Sequence, residues 1–282
     1  MRRLVCFVGA LILALSTVNV VSAETEQEIV NRYLQRAEKR QTKKLSWIAV
    51  NYQMDRINRN NDYNSFSNSI SPQIPNADIP WLSQASTFGV DFGVALNKKF
   101  AWTVGGEYWL KMGVDNSGAY TYDPPLGAAV AVTNIKSEIK VYGVTTGMSY
   151  YLLNGPQPQQ EVYKPALRVN GVVGYYHAAW DLWPEYENLN LTTGVADGAN
   201  TTFEGNAPGA SLGLGADYPL NFFGLAFSAD FSYLYLNFTN VAWYNSQDEE
   251  IIVSYDGTAD GRVDLELSGF RGKVELKRYF TF

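Results

Sequence analysis

The sequence predicts an all-β protein, a closed antiparallel eight-stranded transmembrane β-barrel with a short N-terminal periplasmic helix. Three observations carry this prediction. From Leu45 to the C-terminus apolar and polar residues alternate with period 2. The face opposite the large apolar side chains is made of small or charged residues, the opposite of what a water-facing barrel needs. The connections between the alternating segments are by turns short and long.

Residues 1–23 have the pattern of a secretory signal. Arg2 and Arg3 start it, Leu4 to Leu15 form an apolar core, and Val21, Ser22 and Ala23 supply small residues for cleavage after Ala23. The core is shorter than the roughly 20 apolar residues of a spanning helix. The chain's one cysteine, Cys6, lies inside this segment, so the remainder is expected to carry no disulfide and no thiol chemistry. Without Arg2 and Arg3, 20 basic residues stand against 28 acidic ones. That excess of acid gives no basic face for nucleic acid.

Residues 24–44 are expected to form an amphipathic leader helix. Ile29, Val30, Tyr33, Leu34 and Ala37 share one face, and the segment closes on Lys39, Arg40, Lys43 and Lys44. The barrel is expected over residues 45–282. In its first strand Ile48, Val50, Tyr52 and Met54 alternate with Trp47, Ala49, Asn51 and Gln53. In the second, Phe88, Val90, Phe92, Val94 and Leu96 oppose Gly89, Asp91, Gly93 and Ala95. The third sets Trp102, Val104, Tyr108 and Leu110 against Thr103, Gly105, Glu107 and Lys111. The fourth, about 138–152, sets Tyr142, Val144, Met148 and Tyr150 against Gly143, Thr145, Gly147 and Ser149. The fifth opposes Val169, Val173 and Tyr175 to Arg168, Asn170, Gly174 and Tyr176. The sixth opposes Leu212, Leu214 and Tyr218 to Gly213, Gly215 and Asp217, and the seventh Phe227, Phe231 and Tyr233 to Ser228, Asp230 and Ser232.

In the eighth, from about Val263, the residues Phe270, Val274, Leu276, Phe280 and Phe282 face one way. Arg271, Lys273, Glu275 and Lys277 face the other. Arg278 falls on the apolar face near a boundary where a long side chain reaches headgroups. Leu265 and Leu267 are out of phase with Phe270, which a bulge at Ser268–Gly269 would explain.

Residues 97–99, 153–162 and 219–223 make the short connections; 56–85, 113–136, 181–203 and 238–262 make the long ones. With the first connection long, both ends of the barrel fall on the short-turn side, and the strand number is even. Tyr and Trp at strand ends (Trp47, Tyr108, Trp109, Tyr150, Tyr151, Tyr175, Tyr176, Trp180, Trp183) suggest interfacial girdles.

The closing segment Val274-Glu275-Leu276-Lys277-Arg278-Tyr279-Phe280-Thr281-Phe282 resembles the last strand of bacterial outer-membrane barrels, with alternate apolar residues and a terminal aromatic. Arg278 departs from the alternation. The span from Leu45 to Phe282 is similar in architecture to the small OmpA-, OmpX- and OmpW-like barrels. The resemblance implies a place in the outer membrane among its lipid and lipopolysaccharide. It also implies recognition of Phe280 and Phe282 by the barrel-assembly machinery.

Ten residues are expected to point into the lumen: Asp91, Glu107, Lys111, Arg168, Asp217, Asp230, Arg271, Lys273, Glu275 and Lys277. Buried charge is costly unless paired or hydrated. The expectation is a salt-bridged core filling a lumen just wide enough for side chains; the alternative is a narrow hydrated pore. No catalytic, cofactor or metal residues are assigned. The one histidine, His177, falls on the outward face with no nucleophile beside it, and Asp256, Asp260 and Asp264 lack EF-hand spacing. The functional expectation is a non-enzymatic barrel with a structural, adhesive or surface-recognition role in its long loops, toward an extracellular partner the sequence does not name. Passive transport of small or apolar solutes and a lipid-modifying enzyme are the alternatives.

Overall fold

The computed structural model describes residues 44–73, 79–122, 130–156, 164–186, 201–220, 223–244, 250–251 and 262–281. The expected signal, the leader over 24–43, Asp256, Asp260 and Phe282 lie outside them. The long strands are β1 (Leu45–Ile57), β2 (Gln84–Ala95), β3 (Phe100–Tyr122), β4 (Val130–Leu153), β5 (Ala166–Tyr186), β6 (Thr201–Pro219), β7 (Leu225–Val241) and, last in the chain, β11 (Gly269–Thr281). Each pairs antiparallel with the next, β7 pairs with β11, and β11 pairs with β1 (Leu45 opposite Thr281, Ile57 opposite Gly269), so the sheet closes as an eight-stranded barrel. Three short strands stand at the long-connection end: β8 (Trp243–Tyr244), β9 (Glu250–Ile251) and β10 (Val263–Glu266), the last paired with β7. A helix, α1 (Asp62–Ile70), follows β1.

The connections at the other end are short because local chemistry turns the chain. Between β2 and β3 the Asn97 side-chain oxygen accepts from the Lys99 and Phe100 amides (2.8 and 2.9 Å). Between β4 and β5 Asn154 and Gly155 take positive φ, and between β6 and β7 Phe223 and Gly224 do so.

The interior holds more glycine than polarity alone requires, because large rings lie flat across the wall. A Cβ on Gly143, Gly174 or Gly209 would come within 2.4–2.7 Å of the Tyr176 ring, and one on Gly93 within 2.1 Å of Trp47. Gly143→Val is therefore expected to displace Tyr176 and cost about 1–3 kcal/mol, read as a lower urea midpoint of the folded barrel.

On β4 and β7 parity is kept along the strand but chemistry inverts. On β4 the outward series Tyr142, Val144, Met148, Tyr150 and Leu152 is exposed and apolar, opposite Gly143, Thr145, Gly147 and Ser149. Toward the long-connection end of the same strand Lys136 and Lys140 face outward, and Ile135, Ile139 and Val141 are buried within. β7 repeats the change: Ser228, Asp230 and Ser232 line the lumen, then Leu234, Leu236 and Phe238.

The barrel thus has an outward apolar belt, with Leu212 67% and Val144 65% exposed. Beyond the belt it has a water-type barrel with an apolar inside. That explains Leu265 and Leu267. The β7 ladder runs without a shift from Leu265 opposite Phe238 to Arg278 opposite Leu225. No bulge sits at Ser268–Gly269; both leucines point inward into the apolar end.

Two further expectations are corrected by the same inversion. The described parts of 113–136 and 181–203 (113–122, 130–136, 181–186 and 201–203) are strand, and β3 and β4 pair beyond the belt as far as Tyr122 opposite Val130. Trp47, Trp109, Tyr151, Tyr176 and Trp180 are buried inside the barrel and form no girdle, whereas Tyr108, Tyr150 and Tyr175 face outward.

Candidate functional site

The lumen is stacked in three levels from the short-turn end. Trp47, Tyr151 and Tyr279 form an aromatic floor, packed with Ala49, Ala101, Ala166 and Ala226. Tyr279 meets Trp47 with centroids 5.5 Å apart, and the Tyr151 hydroxyl donates to Asp217 Oδ2 (3.0 Å).

Above the floor is a charged level, positioned by the inward positions of β11. Arg168 from β5 donates through Nε to Asp217 Oδ1 (3.1 Å), and through Nη2 to Asp230 Oδ2 (2.8 Å) and Ser228 Oγ (2.7 Å). Its Nη1 reaches Asn170 Oδ1 at 2.6 Å. Lys277 pairs with Asp217 (2.8 Å) and Glu275 (3.1 Å), and Lys273 pairs with Asp91 (2.7 Å) and with Glu275. At the top of this level Arg271 donates to Asp55 Oδ1 (2.6 Å) and to both oxygens of Glu107 (3.1 and 3.0 Å), with its guanidinium 5.6 Å from the Trp109 ring. Thr87 and Tyr176 complete the carboxylates, donating to Asp55 (3.1 Å) and Glu107 (3.3 Å).

Asp91, Glu107, Arg168, Asp217, Asp230, Arg271, Lys273, Glu275 and Lys277 therefore meet inside the barrel. Lys111 does not. The β3–β4 register shifts between Trp109 and Met112, so Leu110 and Lys111 both face outward and Met112 takes the interior position. Lys111 lies on the outer surface, its side chain 55% exposed, 3.1 Å from Glu138. Asp55 was not among the expected lumen residues, although it continues the inward series Asn51, Gln53; the first strand runs three residues past Met54, to Ile57. Between the charged groups remains a cavity of about 60 Å³ touching Gln53, Thr103, Thr145, Ser149 and Ser211. That is room for about four waters.

The third level is apolar. Trp109, Ile139, Trp180, Phe203, Leu236 and Phe238 are wholly buried there. α1 covers this level: Asn61 caps it through Asn64 N–H (2.9 Å), and Asn64 is tied to Leu82 in both directions (2.7 and 3.1 Å). Tyr63 reaches down from α1, its ring 5.2 Å from Trp180 and its hydroxyl donating to the Ser137 carbonyl (3.3 Å). Burial raises the Tyr63 phenol above its ordinary range.

His177 lies on the outward face, its ring 4.8 Å from Tyr142 and Nδ1 3.0 Å from Asn206 Oδ1. Asp181 pairs instead with Lys140 (2.8 Å) and Lys136 (3.4 Å). Asp264 is held structurally, accepting from the Asn240 amide (2.7 Å) while its own amide donates to Asp62 (2.6 Å). Among the described residues no group of three or more acidic, histidine or cysteine side chains is arranged to hold a metal ion.

No protein-family model matches the sequence, and no curated protein matches it. The chain is a closed eight-stranded antiparallel barrel. Among solved structures it is similar to Ail, the attachment invasion locus protein of Yersinia pestis, crystallised with the heparin analogue sucrose octasulfate. Identity is 13%, over 84% of this chain and 99% of that one, with a TM-score of 0.39. It is likewise similar to Neisserial surface protein A, at 10% identity, 84% and 97% coverage and a TM-score of 0.39. A major outer membrane protein from Thermus thermophilus shares 13% identity over 84% of this chain and 99% of that one, at a TM-score of 0.45. These are likenesses of architecture.

Proposed function

We propose that this chain is a non-enzymatic integral barrel of the bacterial outer membrane with a filled lumen, acting at the cell surface through its long-connection end. The observation that carries the reading is the three-level interior. An aromatic floor, an ion-paired middle and an apolar top under α1 leave a cavity of only about 60 Å³.

The outward belt supports the membrane setting. Exposed apolar side chains stand on all eight long strands, a contiguous ring where a soluble monomer exposes such residues singly or in small patches. The signal-like residues 1–23 and the closing segment ending at Phe282 support the outer membrane as its place. A surface role is favoured over catalysis because His177, on the outward face, meets the Asn206 amide and the Tyr142 ring, which make no nucleophile–base–acid set with it. The outer end also offers Trp81, half-exposed with the Arg59 guanidinium 5.8 Å from its ring, two residue types enriched where binding energy concentrates.

Passive transport would need a path that the packed levels do not offer. The refolded protein in planar bilayers is expected to give a flat baseline with no steady conductance steps; steps of uniform size would contradict the filled lumen.

A further inference from the structure

Among the described residues the two ends of the barrel differ in the sign of their surface charge. At the long-connection end signs are mixed and paired: Lys111 with Glu138, Lys136 and Lys140 with Asp181, Arg262 with Glu250. At the short-turn end Lys44, Lys98, Lys99 and Lys164 are exposed, and Arg278 is half-buried on the outward face of β11. Among the described residues no acidic side chain accompanies the four lysines; Asp217 and Glu275, nearest in height, face inward and are held by Arg168 and Lys277.

The fold gathers these bases. Gly155 sits so close to the Lys98 carbonyl that a Cβ there would stand 2.4 Å from it, which sets the β4–β5 turn against the β2–β3 turn. Tyr151 N–H donates to the Lys99 carbonyl (2.7 Å), and Asn154 Nδ2 donates to the Pro165 carbonyl (2.9 Å) beside Lys164. Lys44 precedes β1, and Arg278 lies across from Ile48 on that strand.

Lys98, Lys99 and Lys164 also border the belt. Lys98 and Lys99 lie between the exposed Leu96 and Phe100, Lys99 Nζ is 6.0 Å from the Tyr150 ring, and Lys164 is three residues from the exposed Leu167. Long cationic chains at the edge of an apolar band direct their ammonium groups to the headgroup layer.

The geometry points to this rim as a binding surface for the anionic headgroups of phospholipids. The inference rests on the proposal that the belt faces lipid. A lipid surface is favoured over a single phosphate ion because the cations are spread along the rim, Lys98, Lys99 and Lys164 beside apolar side chains of the belt, and do not converge on one point. A planar array of phosphates matches that layout.

The test uses the refolded protein in mixed vesicles of phosphatidylcholine and phosphatidylglycerol, with spin-labelled lipid of each headgroup reporting which one the barrel retains. Near an anionic surface one lysine contributes about fivefold in association. The wild type is expected to favour phosphatidylglycerol by at least about fivefold, and the ratio to fall toward one in K98Q/K99Q/K164Q and at high salt. The outer-end variant K111Q/K136Q/K140Q is expected to keep the wild-type ratio.

An inserted barrel with no preference, a preference that survives in K98Q/K99Q/K164Q, or one lost only in the outer-end variant overturns the inference. So does a preference abolished by inorganic phosphate at unchanged ionic strength, which would mark an ion site and not a lipid surface. Failure to insert into either vesicle overturns the membrane proposal itself, and this inference with it.

Discussion

Arg271→Met is expected to destabilise the folded barrel by about 3–5 kcal/mol, the cost of removing one partner from a buried ion pair. Arg271 is 4% exposed and supplies the cation for both Asp55 and Glu107, through contacts of 2.6 to 3.1 Å. Without it, the Thr87 and Tyr176 hydroxyls remain as hydrogen-bond donors to these carboxylates but bring no positive charge. Urea unfolding of the vesicle-inserted protein, followed by the mobility difference between folded and heat-unfolded forms, measures the loss. The variant R271M/D55N/E107Q is the control. It removes the stranded charges along with the arginine, and most of the lost stability is expected to return. If the single and triple variants are equally destabilised, the effect is packing against Trp109 and not charge.

Trp180→Ala is expected to cost about 3–5 kcal/mol at the other end of the molecule. Trp180 is wholly buried, its ring lies 5.2 Å from Tyr63 and 6.1 Å from Phe203, and Nε1 donates to Ser137 Oγ at 3.1 Å. Removing it leaves a void beneath α1 and takes from Tyr63 its aromatic partner. The effect is expected to be local. Cleavage in residues 58–83 by added protease should accelerate, while the belt strands stay protected, because α1 rests on the apolar top through Tyr63 whereas the belt strands are held by their own ladders. Equal loss of protection in the belt would show that the levels unfold as one unit.

The strands were legible in the sequence because period 2 survives in every segment that crosses the belt, and parity from Phe270 to Phe280 set the inward positions of β11. What parity did not reveal was the change of environment along a strand. The series Leu265, Leu267, Arg271, Lys273 keeps one direction, but a reader who expects a polar inside takes the two leucines for a slip. The same assumption sent Trp109, Tyr176 and Trp180 to a girdle when they fill the apolar top. It also shortened β3, β4 and β5, whose outer parts follow the rule of a soluble barrel and so resemble polar loops. Lys111 was misplaced for a different reason: the extra residue at Leu110–Lys111 is a β-bulge, and its one local sign is Gly113, at φ +108, where a Cβ would meet the Ser137 carbonyl at 1.8 Å. Asp55 continues the inward series Asn51, Gln53 one residue past Met54, the last apolar member of the alternation, and so stands where the pattern gives no outward partner to mark it.

The central claim is that the outward belt faces lipid and the region beyond it faces water. With Cys6 replaced or removed, single cysteines at Val144, Leu212, Val274 and Lys136 can carry a nitroxide in the vesicle-inserted protein. Collisional relaxation by oxygen, which partitions into lipid, and by a water-soluble nickel chelate then reports what each site faces. The account predicts oxygen-dominated relaxation at Val144, Leu212 and Val274 and nickel-dominated relaxation at Lys136, eight residues from Val144 on one strand and one face. Nickel-dominated relaxation at all four positions would contradict it.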